Sequence, residues 1–353
     1  MFFSKKSSLV GLDLGSSSVK LVQLKELGRG SGYRLINMGL APLSPEAIVD
    51  GAVMDSGLVV DVIQNIFREN KVKGSDVALS LSGHSVIIKR VSLPTMNEEE
   101  LAESIQWEAE QYIPFDIQDV NIDYQILQSA GSDGNMDVLL VAVKKSKIND
   151  YTSVLHQAGK SPMVVDVDVF ALQNAYEINY APEPDQTIAL VNIGASVTNI
   201  AILKGANSVF WRDISIGGNQ FTDAIQKELN LSFEQADALK RGEEAAGENA
   251  GKLEQILRQV SQDLGGEVQK TLDFYKATSA GEMAGKIILS GGSARVPGIQ
   301  EMLAERFGVP VEMFNPFQAI EVSDKQFPAE RLQDLAPAMA VAVGLALRKA
   351  GDK

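Results

Sequence analysis

No cysteine occurs in this sequence, which excludes disulfides and thiol chemistry and fits a reducing compartment. Histidine is almost as scarce. His84 and His156 are the only two, and neither stands in a metal-ligand spacing, so a histidine-rich metal site is excluded as a working hypothesis. Positive charge is in deficit: the net charge of −14 argues against nucleic acid as a partner. Long apolar runs are missing too. The longest, Leu335–Leu347, has thirteen residues, too few to span a bilayer, and reads as a buried helix. The start, Met1-Phe2-Phe3-Ser4-Lys5-Lys6, has no apolar stretch behind its charges and does not read as a signal peptide. What remains is a chain of 353 residues with 45% apolar content, long enough for two domains with proper cores.

The first informative stretch is Val10-Gly11-Leu12-Asp13-Leu14-Gly15-Ser16-Ser17-Ser18-Val19-Lys20-Leu21-Val22. Apolar residues lead to an Asp and a Gly, hydroxyl residues follow, and an alternating apolar run returns: strand, tight turn, strand. The pattern recurs at Leu190-Val191-Asn192-Ile193-Gly194-Ala195-Ser196-Val197-Thr198-Asn199-Ile200-Ala201-Ile202, with Asn192 on Asp13, Gly194 on Gly15 and Ser196 on Ser17. Such a repeat suggests two related halves facing one site. The turns suit a phosphate, because Gly lets backbone N–H groups come close and Ser or Thr hydroxyls add donors. Asp13 is the candidate metal residue, a carboxylate for a hydrated Mg²⁺. Two further turns, Ile214-Ser215-Ile216-Gly217-Gly218-Asn219 and Ile287-Ile288-Leu289-Ser290-Gly291-Gly292-Ser293, complete the set.

With these four turns the chain resembles the actin, sugar-kinase and chaperone superfamily. The resemblance implies two phosphate loops, an adenosine loop, and ATP with Mg²⁺ as ligands. Candidate nucleotide residues are then Asp13, Gly15, Ser16, Ser17, Ser18 and Lys20 in the first loop and Asn192, Gly194, Ser196 and Thr198 in the second. Gly217, Gly218, Gly291, Gly292 and Ser293 join them. In Ala236-Asp237-Ala238-Leu239-Lys240 the pair Asp237 and Lys240 reads by spacing as a solvated ion pair. The superfamily carries an Ala-Glu-x-x-Lys helix at this point, and the resemblance gives the pair a role at ribose and adenine.

Between the strands and helix of the first half lies a segment that a simple ATPase half does not need. Val86–Val91 alternates as a strand. Asn97 opens a helix with Glu100 as the partner of a capping box, and Leu101, Ile105, Ala109 and Tyr112 share its apolar face until Pro114. Val120–Leu127 and Val138–Val143 read as strands around the turn Ala130–Asn135. The tract Ser104-Ile105-Gln106-Trp107-Glu108-Ala109-Glu110-Gln111-Tyr112-Ile113-Pro114-Phe115, followed by Asp123-Tyr124, is similar to the type IV pilus assembly family PilM. The cell-division family FtsA has its extra subdomain at the same point, but the tract is closer to the pilus family. This likeness covers essentially the whole chain, from the Phe2–Lys6 start to the last helix.

The fold implied is α/β and actin-like, with duplicated ribonuclease-H-type halves and an inserted FtsA-like subdomain. Residues 1–85 and 147–180 form the first half, 86–146 the insert, and 181–353 the second half, with an adenosine-binding helical part at about 219–285. Val167–Tyr176 and Pro337–Lys349 become helices crossing between the halves, with Ala340 and Gly344 four apart on one face. Asp166 and Asp168 read as helix caps rather than bases. Gly265-Gly266 is a place for a bend in a long helix over Leu253–Thr278, and Glu243–Gly251 reads as a mobile acidic stretch.

The resemblance implies a cytoplasmic pilus-assembly scaffold at the inner face of the inner membrane. It binds the cytoplasmic N-terminal tail of the membrane protein PilN and links it to the assembly motors. The membrane is reached only through that partner, and self-association is allowed by the fold. Val86, Ile88 and Trp107 are the candidate partner residues, with a groove between insert and first half as the site. Trp107 lies off the apolar face of its helix, and packing against the neighbouring subdomain is the reading favoured for it. The alternatives are an FtsA-like division scaffold and a type II secretion platform component. Asn192 brings no charge and no base where the superfamily has Asp, so ATP binding is expected to outlast hydrolysis.

Overall fold

A computed structural model describes residues 9–28, 32–128 and 134–352. The segment Met1–Ser8 and most of the turn Ala130–Asn135 lie outside the described residues. The fold begins with the hairpin predicted from the alternating pattern. Val10–Leu14 pairs antiparallel with Ser18–Glu26, with Asp13 opposite Lys20, and the turn closes through Gly15 N donating to Ser18 O at 3.1 Å. The second copy repeats it. Thr187–Ile193 pairs with Thr198–Lys204, Asn192 sits opposite Asn199, and Gly194 N donates to Val197 O at 2.9 Å. A Cβ on Gly194 would meet the Val197 carbonyl oxygen at 2.7 Å, so the second turn closes only without a side chain there.

Each hairpin grows into a sheet by the same rule. In the first sheet a third antiparallel strand, Tyr33–Pro42, follows the hairpin, while Asp76–Leu81 and then Ser161–Val167 add in parallel beside Val10–Leu14. In the second, Asn207–Ile214 takes the antiparallel place, and Lys286–Ser290 and Val311–Met313 add in parallel beside Thr187–Ile193. Thr187–Ile193 is buried on both faces, which is why its middle, Ile188–Val191, is apolar without alternation. The chain then returns: Ile320–Glu321 pairs in parallel with Tyr33 and Arg34, so the stretch after 181 also completes the first sheet.

The two sheets are held together by helices. Asp168–Asn179 and Ala340–Ala346 cross in contact, and a Cβ on Gly344 would lie 1.7 Å from the carbonyl oxygen of Ala171. The expected single helix over Pro337–Lys349 divides into a 3-10 turn, Ala336–Met339, and the short helix Ala340–Ala346. Its apolar residues are buried all round, as the run Leu335–Leu347 suggested. The helix Ala250–Thr278 starts earlier than expected and passes unbroken through Gly265-Gly266, where the missing side chain makes room for Met302 and Arg306 of the neighbouring helix Ile299–Phe307.

The inserted residues make a separate three-stranded sheet in the order Val86–Pro94, Asn135–Lys144, Val120–Gln128, covered by the helix Glu98–Glu110. The capping box is present: Glu100 N donates to Asn97 Oδ1 at 2.9 Å and Asn97 N donates to Glu100 Oε2 at 3.0 Å. Leu101, Ile105 and Ala109 are buried as predicted. Tyr112 falls beyond the helix end, in a turn closed by hydrogen bonds to the Ala109 carbonyl. The insert has its own apolar core around Leu93, Leu101, Met136 and Leu140. Val86 and Ile88 point the other way and pack against the core of the first half.

Candidate functional site

The two matched turns face a common cavity of about 300 Å³ between the halves. Of the residues expected there, Asp13, Gly15, Ser16, Ser17, Lys20, Asn192, Gly194, Ser196, Gly291 and Gly292 line it. Gly291, like Gly194, is a structural requirement, whereas at Gly15 the closest atom is the end of a lysine side chain. A Cβ on Gly291, which has φ +94°, would lie 2.2 Å from the Ile193 carbonyl oxygen, and one on Gly15 would lie 2.9 Å from Lys20 Nζ. Cross-strand register accounts for the charges. Lys20, opposite Asp13, reaches its carboxylate at 3.1 Å. At the matching place in the second hairpin the ion pair is replaced by an amide pair, Asn192 Nδ2 donating to Asn199 Oδ1 at 2.8 Å. Asn192 Oδ1 in turn accepts from Ser290 Oγ at 3.2 Å, so the buried amide is engaged at both ends.

The remaining expected residues fall elsewhere. The Thr198 hydroxyl is buried and donates to the Ile216 carbonyl at 2.7 Å, and Ser293 Oγ donates to the Gly194 carbonyl at 2.9 Å, so both brace the second turn from behind. Ser18 is buried in its strand and does not line the cavity. Gly217 and Gly218 pack under the second turn, where a Cβ on Gly217 would lie 2.6 Å from the Gly194 and Ala195 carbonyl oxygens. Asp237 and Lys240 are a tight pair at 2.6 Å, but not a solvated one. Their side chains are 24% and 11% exposed, and Lys240 Nζ also donates to Thr222 Oγ1 at 2.8 Å, tying two helices together away from the cavity wall.

Several wall residues come from segments that the motifs do not cover. Asp168 does not cap its helix. Its carboxylate accepts from Ser80 Oγ at 2.5 Å and faces the cavity. Burial, and then the Asp13 charge, push its pKa up to about 6, against the opposing hydrogen bonds of Ser80 and Ser82. Asp166 is no cap either: it accepts from the Arg348 guanidinium at 2.9 Å and from Val167 N at 2.8 Å. Ser82, Gly83, His84, Lys147 and Tyr151 close the cavity on the side of the first half. Contacts across the cleft follow. Gly83 N donates to Asp213 Oδ2 at 2.6 Å and His84 Nε2 lies 2.8 Å from Ser215 Oγ, while within the second half Asn199 Nδ2 donates to Asp213 Oδ1 at 2.9 Å. The sequence signal for this wall is Ser82-Gly83-His84, a turn directly after the buried strand Asp76–Leu81.

The donor set fits a nucleotide with Mg²⁺. Among the described residues no group of three or more Asp, Glu, His or Cys side chains gathers to cage a metal. A Mg²⁺ ion bound here would have to keep ligands from phosphate and water, and Asp13 is the carboxylate that would stand beside it. The glycine turns leave backbone close to the cavity where phosphate oxygens can approach.

Trp107 stands apart from all of this. It is 75% exposed on the helix Glu98–Glu110, contrary to the packing reading favoured for it. Among the described residues no helix is long and apolar enough to cross a membrane.

Comparison with known proteins places this geometry. The chain is 25% identical over 359 residues to the cell division protein FtsA of Enterococcus hirae, covering 89% of this chain and 80% of that protein. It is 22% identical to FtsA of Streptococcus pneumoniae serotype 2, covering 89% and 77%. Among solved structures it is similar to a PilM-PilN type IV pilus biogenesis complex, with TM-score 0.87, 29% identity, and coverage of 98% of this chain and 100% of that one. It shares its fold with the ethanolamine utilization protein EutJ of Carboxydothermus hydrogenoformans, with TM-score 0.59, 15% identity and coverage of 96% and 89%. It also shares it with MreB5 of Spiroplasma citri bound to AMPPNP, with TM-score 0.51, 14% identity and coverage of 96% and 95%. The fold is therefore that of the actin-like ATPases. Residues 11–350 match the family described as Type IV pilus assembly protein PilM, and the chain belongs to that family.

Proposed function

We propose that the cavity binds ATP with Mg²⁺ and that the chain serves type IV pilus assembly as a scaffold whose shape depends on that ligand. The observation that carries the reading is the pair of matched glycine turns, Gly15–Ser17 and Gly194–Val197, facing one cavity with Asp13 and Lys20 on its wall. Asp13 would stand beside the metal, the turns would cradle the phosphates, and Gly291-Gly292 would receive the adenosine. When bound, Mg²⁺ neutralises phosphate charge and polarises the terminal phosphoryl group. Asn192 cannot take a proton, and both ends of its amide are occupied, so turnover is slow and falls to Asp168. Asp13→Ala is expected to weaken ATP binding while the chain stays folded, and unchanged ATP affinity by calorimetry in Mg²⁺ would refute the assignment. Steady turnover near ~10 per second, typical of enzymes, would refute the scaffold reading.

We also infer the partner. The insert, residues 86–146, is taken as one wall of a groove that receives the cytoplasmic tail of PilN. Support comes from the structure of a PilM-PilN complex that this chain resembles. The strand Val86–Pro94 pairs on one side only, with Asn135–Lys144, among the described strands. An extended peptide can add its backbone hydrogen bonds to such an edge. Through that partner the chain would sit at the inner face of the inner membrane and connect it to the assembly motors. The FtsA relatives support a division scaffold as the second reading. One-to-one saturation by a synthetic PilN tail separates the two, because a division scaffold has no use for that peptide.

A further inference from the structure

We propose that Lys147 reads the terminal phosphate, so that the cavity tells a nucleoside triphosphate from the diphosphate. The proposal rests on the nucleotide reading of the cavity given above. Lys147 is the third residue of the helix Lys145–Gln157, which follows the insert, and no sequence motif marks it. Its side chain is buried at the cavity wall, and Nζ donates to the Ser82 carbonyl at 2.6 Å. An ammonium carries three N–H donors. The Ser82 carbonyl takes one, and among the described residues no carboxylate forms an ion pair with the other two. Asp168 and Asp213 act on it only from farther off. Burial lowers the pKa of this amine, as it does for a cation short of partners.

A neighbouring hairpin of the same wall is shaped around this nitrogen. Gly51, at φ +75°, turns a two-stranded hairpin against it, and a Cβ there would lie 2.5 Å from Lys147 Nζ. The other cation in the cavity differs. Lys20 is already matched to Asp13 at 3.1 Å and adds little net charge. Among the described residues Lys147 is thus the cavity lysine without an ion pair, its remaining neighbour being the Tyr151 ring, 5.7 Å from Nζ to the centroid. Gly291-Gly292 belongs to the second half, whereas Lys147, Gly51 and Ser82 form the first half's wall. A nucleotide with its adenosine at the former and its inner phosphates at the two turns directs its last phosphate toward the latter. A lysine meets such a group as a compact point charge with rotatable donors.

The test compares ATP, ADP and AMP by calorimetry in Mg²⁺ on the full chain and on Lys147→Met. The wild-type chain is expected to prefer ATP over ADP. In Lys147→Met the ATP affinity is expected to fall about tenfold to a hundredfold, the range for a hydrogen bond to a charged group, while ADP and AMP change less than about twofold. A variant that keeps the wild-type ratio of ATP to ADP affinity, or loses both equally, overturns the proposal, the second outcome marking Lys147 as a brace for Ser82. Wild-type protein that binds none of the three ligands removes the nucleotide reading itself. A second measurement needs no variant: acetylation of Lys147 in the wild-type chain, followed by peptide mass spectrometry. ATP is expected to slow it more than ADP does, and equal protection overturns the proposal.

Discussion

The backbone N–H of Gly83 donates to the Asp213 carboxylate at 2.6 Å, joining the first half to the second across the cleft. The same carboxylate accepts from Asn199 at 2.9 Å, and Asn199 is the partner of Asn192, so four residues form one line from the second turn to the wall of the first half. Burial raises the Asp213 pKa against these hydrogen bonds. Replacing Asp213 by Ala leaves the buried Asn199 amide and the half-buried Gly83 N–H without an acceptor. The expected cost is about 1–3 kcal/mol for an unsatisfied buried group. Thermal unfolding reads the loss, and amide exchange at Gly83 is expected to quicken. Unchanged exchange there would mean that the contact does not hold the cleft.

Asp168 makes a pH prediction. Its pKa is about 6 in the folded chain, above its ordinary value near 3.8. The folded state therefore binds this proton more tightly than the unfolded state, and the group's contribution to stability falls as pH rises between about 4 and 6. Above that window the cost is complete. Asp168→Asn keeps an oxygen for Ser80 and removes the charge. The ligand-free variant is expected to gain melting temperature over wild type at pH 7 and to lose that gain near pH 4. An equal difference at both pH values would assign the effect to packing.

The helix crossing is intolerant of any side chain at Gly344. With the Ala171 carbonyl 1.7 Å from a Cβ there, Gly344→Val must separate the two helices. Overpacking of this kind costs about 1–3 kcal/mol, and contact with rigid backbone on both sides puts this site at the top of that range or above it. A drop of several degrees in melting temperature checks it, and an unchanged value would contradict the contact.

Trp107 is predicted to behave in the opposite way. Exposed substitutions away from special features usually stay within about 0.5 kcal/mol, so Trp107→Ala is expected to leave unfolding unchanged. Ile88→Lys, by contrast, places a charge against the core of the first half and is expected to lower stability. If both variants bind the PilN tail as wild type does, the groove assignment is wrong.

The repeated hairpin was legible because a period of two, a glycine turn and hydroxyl residues recur in the same order, and local physics makes each copy alike. The capping box at Asn97 and Glu100 was legible for the same reason: all its partners lie within one turn. Asp168 was not. Its partner Ser80 is 88 residues away, and a capping reading uses only neighbours. Thr198 and Ser293 pose a different ambiguity. A hydroxyl near a glycine turn can face the ligand or brace the turn, and only the packed structure decides which. The position of Trp107 off the apolar stripe signals its exposure, although a large aromatic side chain in a small subdomain is more often packed.

Where the helices touch at Gly344 and Ala171, backbone meets backbone with no side chain to deform. Such a joint has no soft side chain to take up a change in the spacing of the two helices. The Gly83–Asp213 contact lies at another point of the same cleft, and Gly83 is three residues before the strand that begins the insert at Val86. The two halves are therefore tied at two separate points, and the second tie sits at the root of the insert.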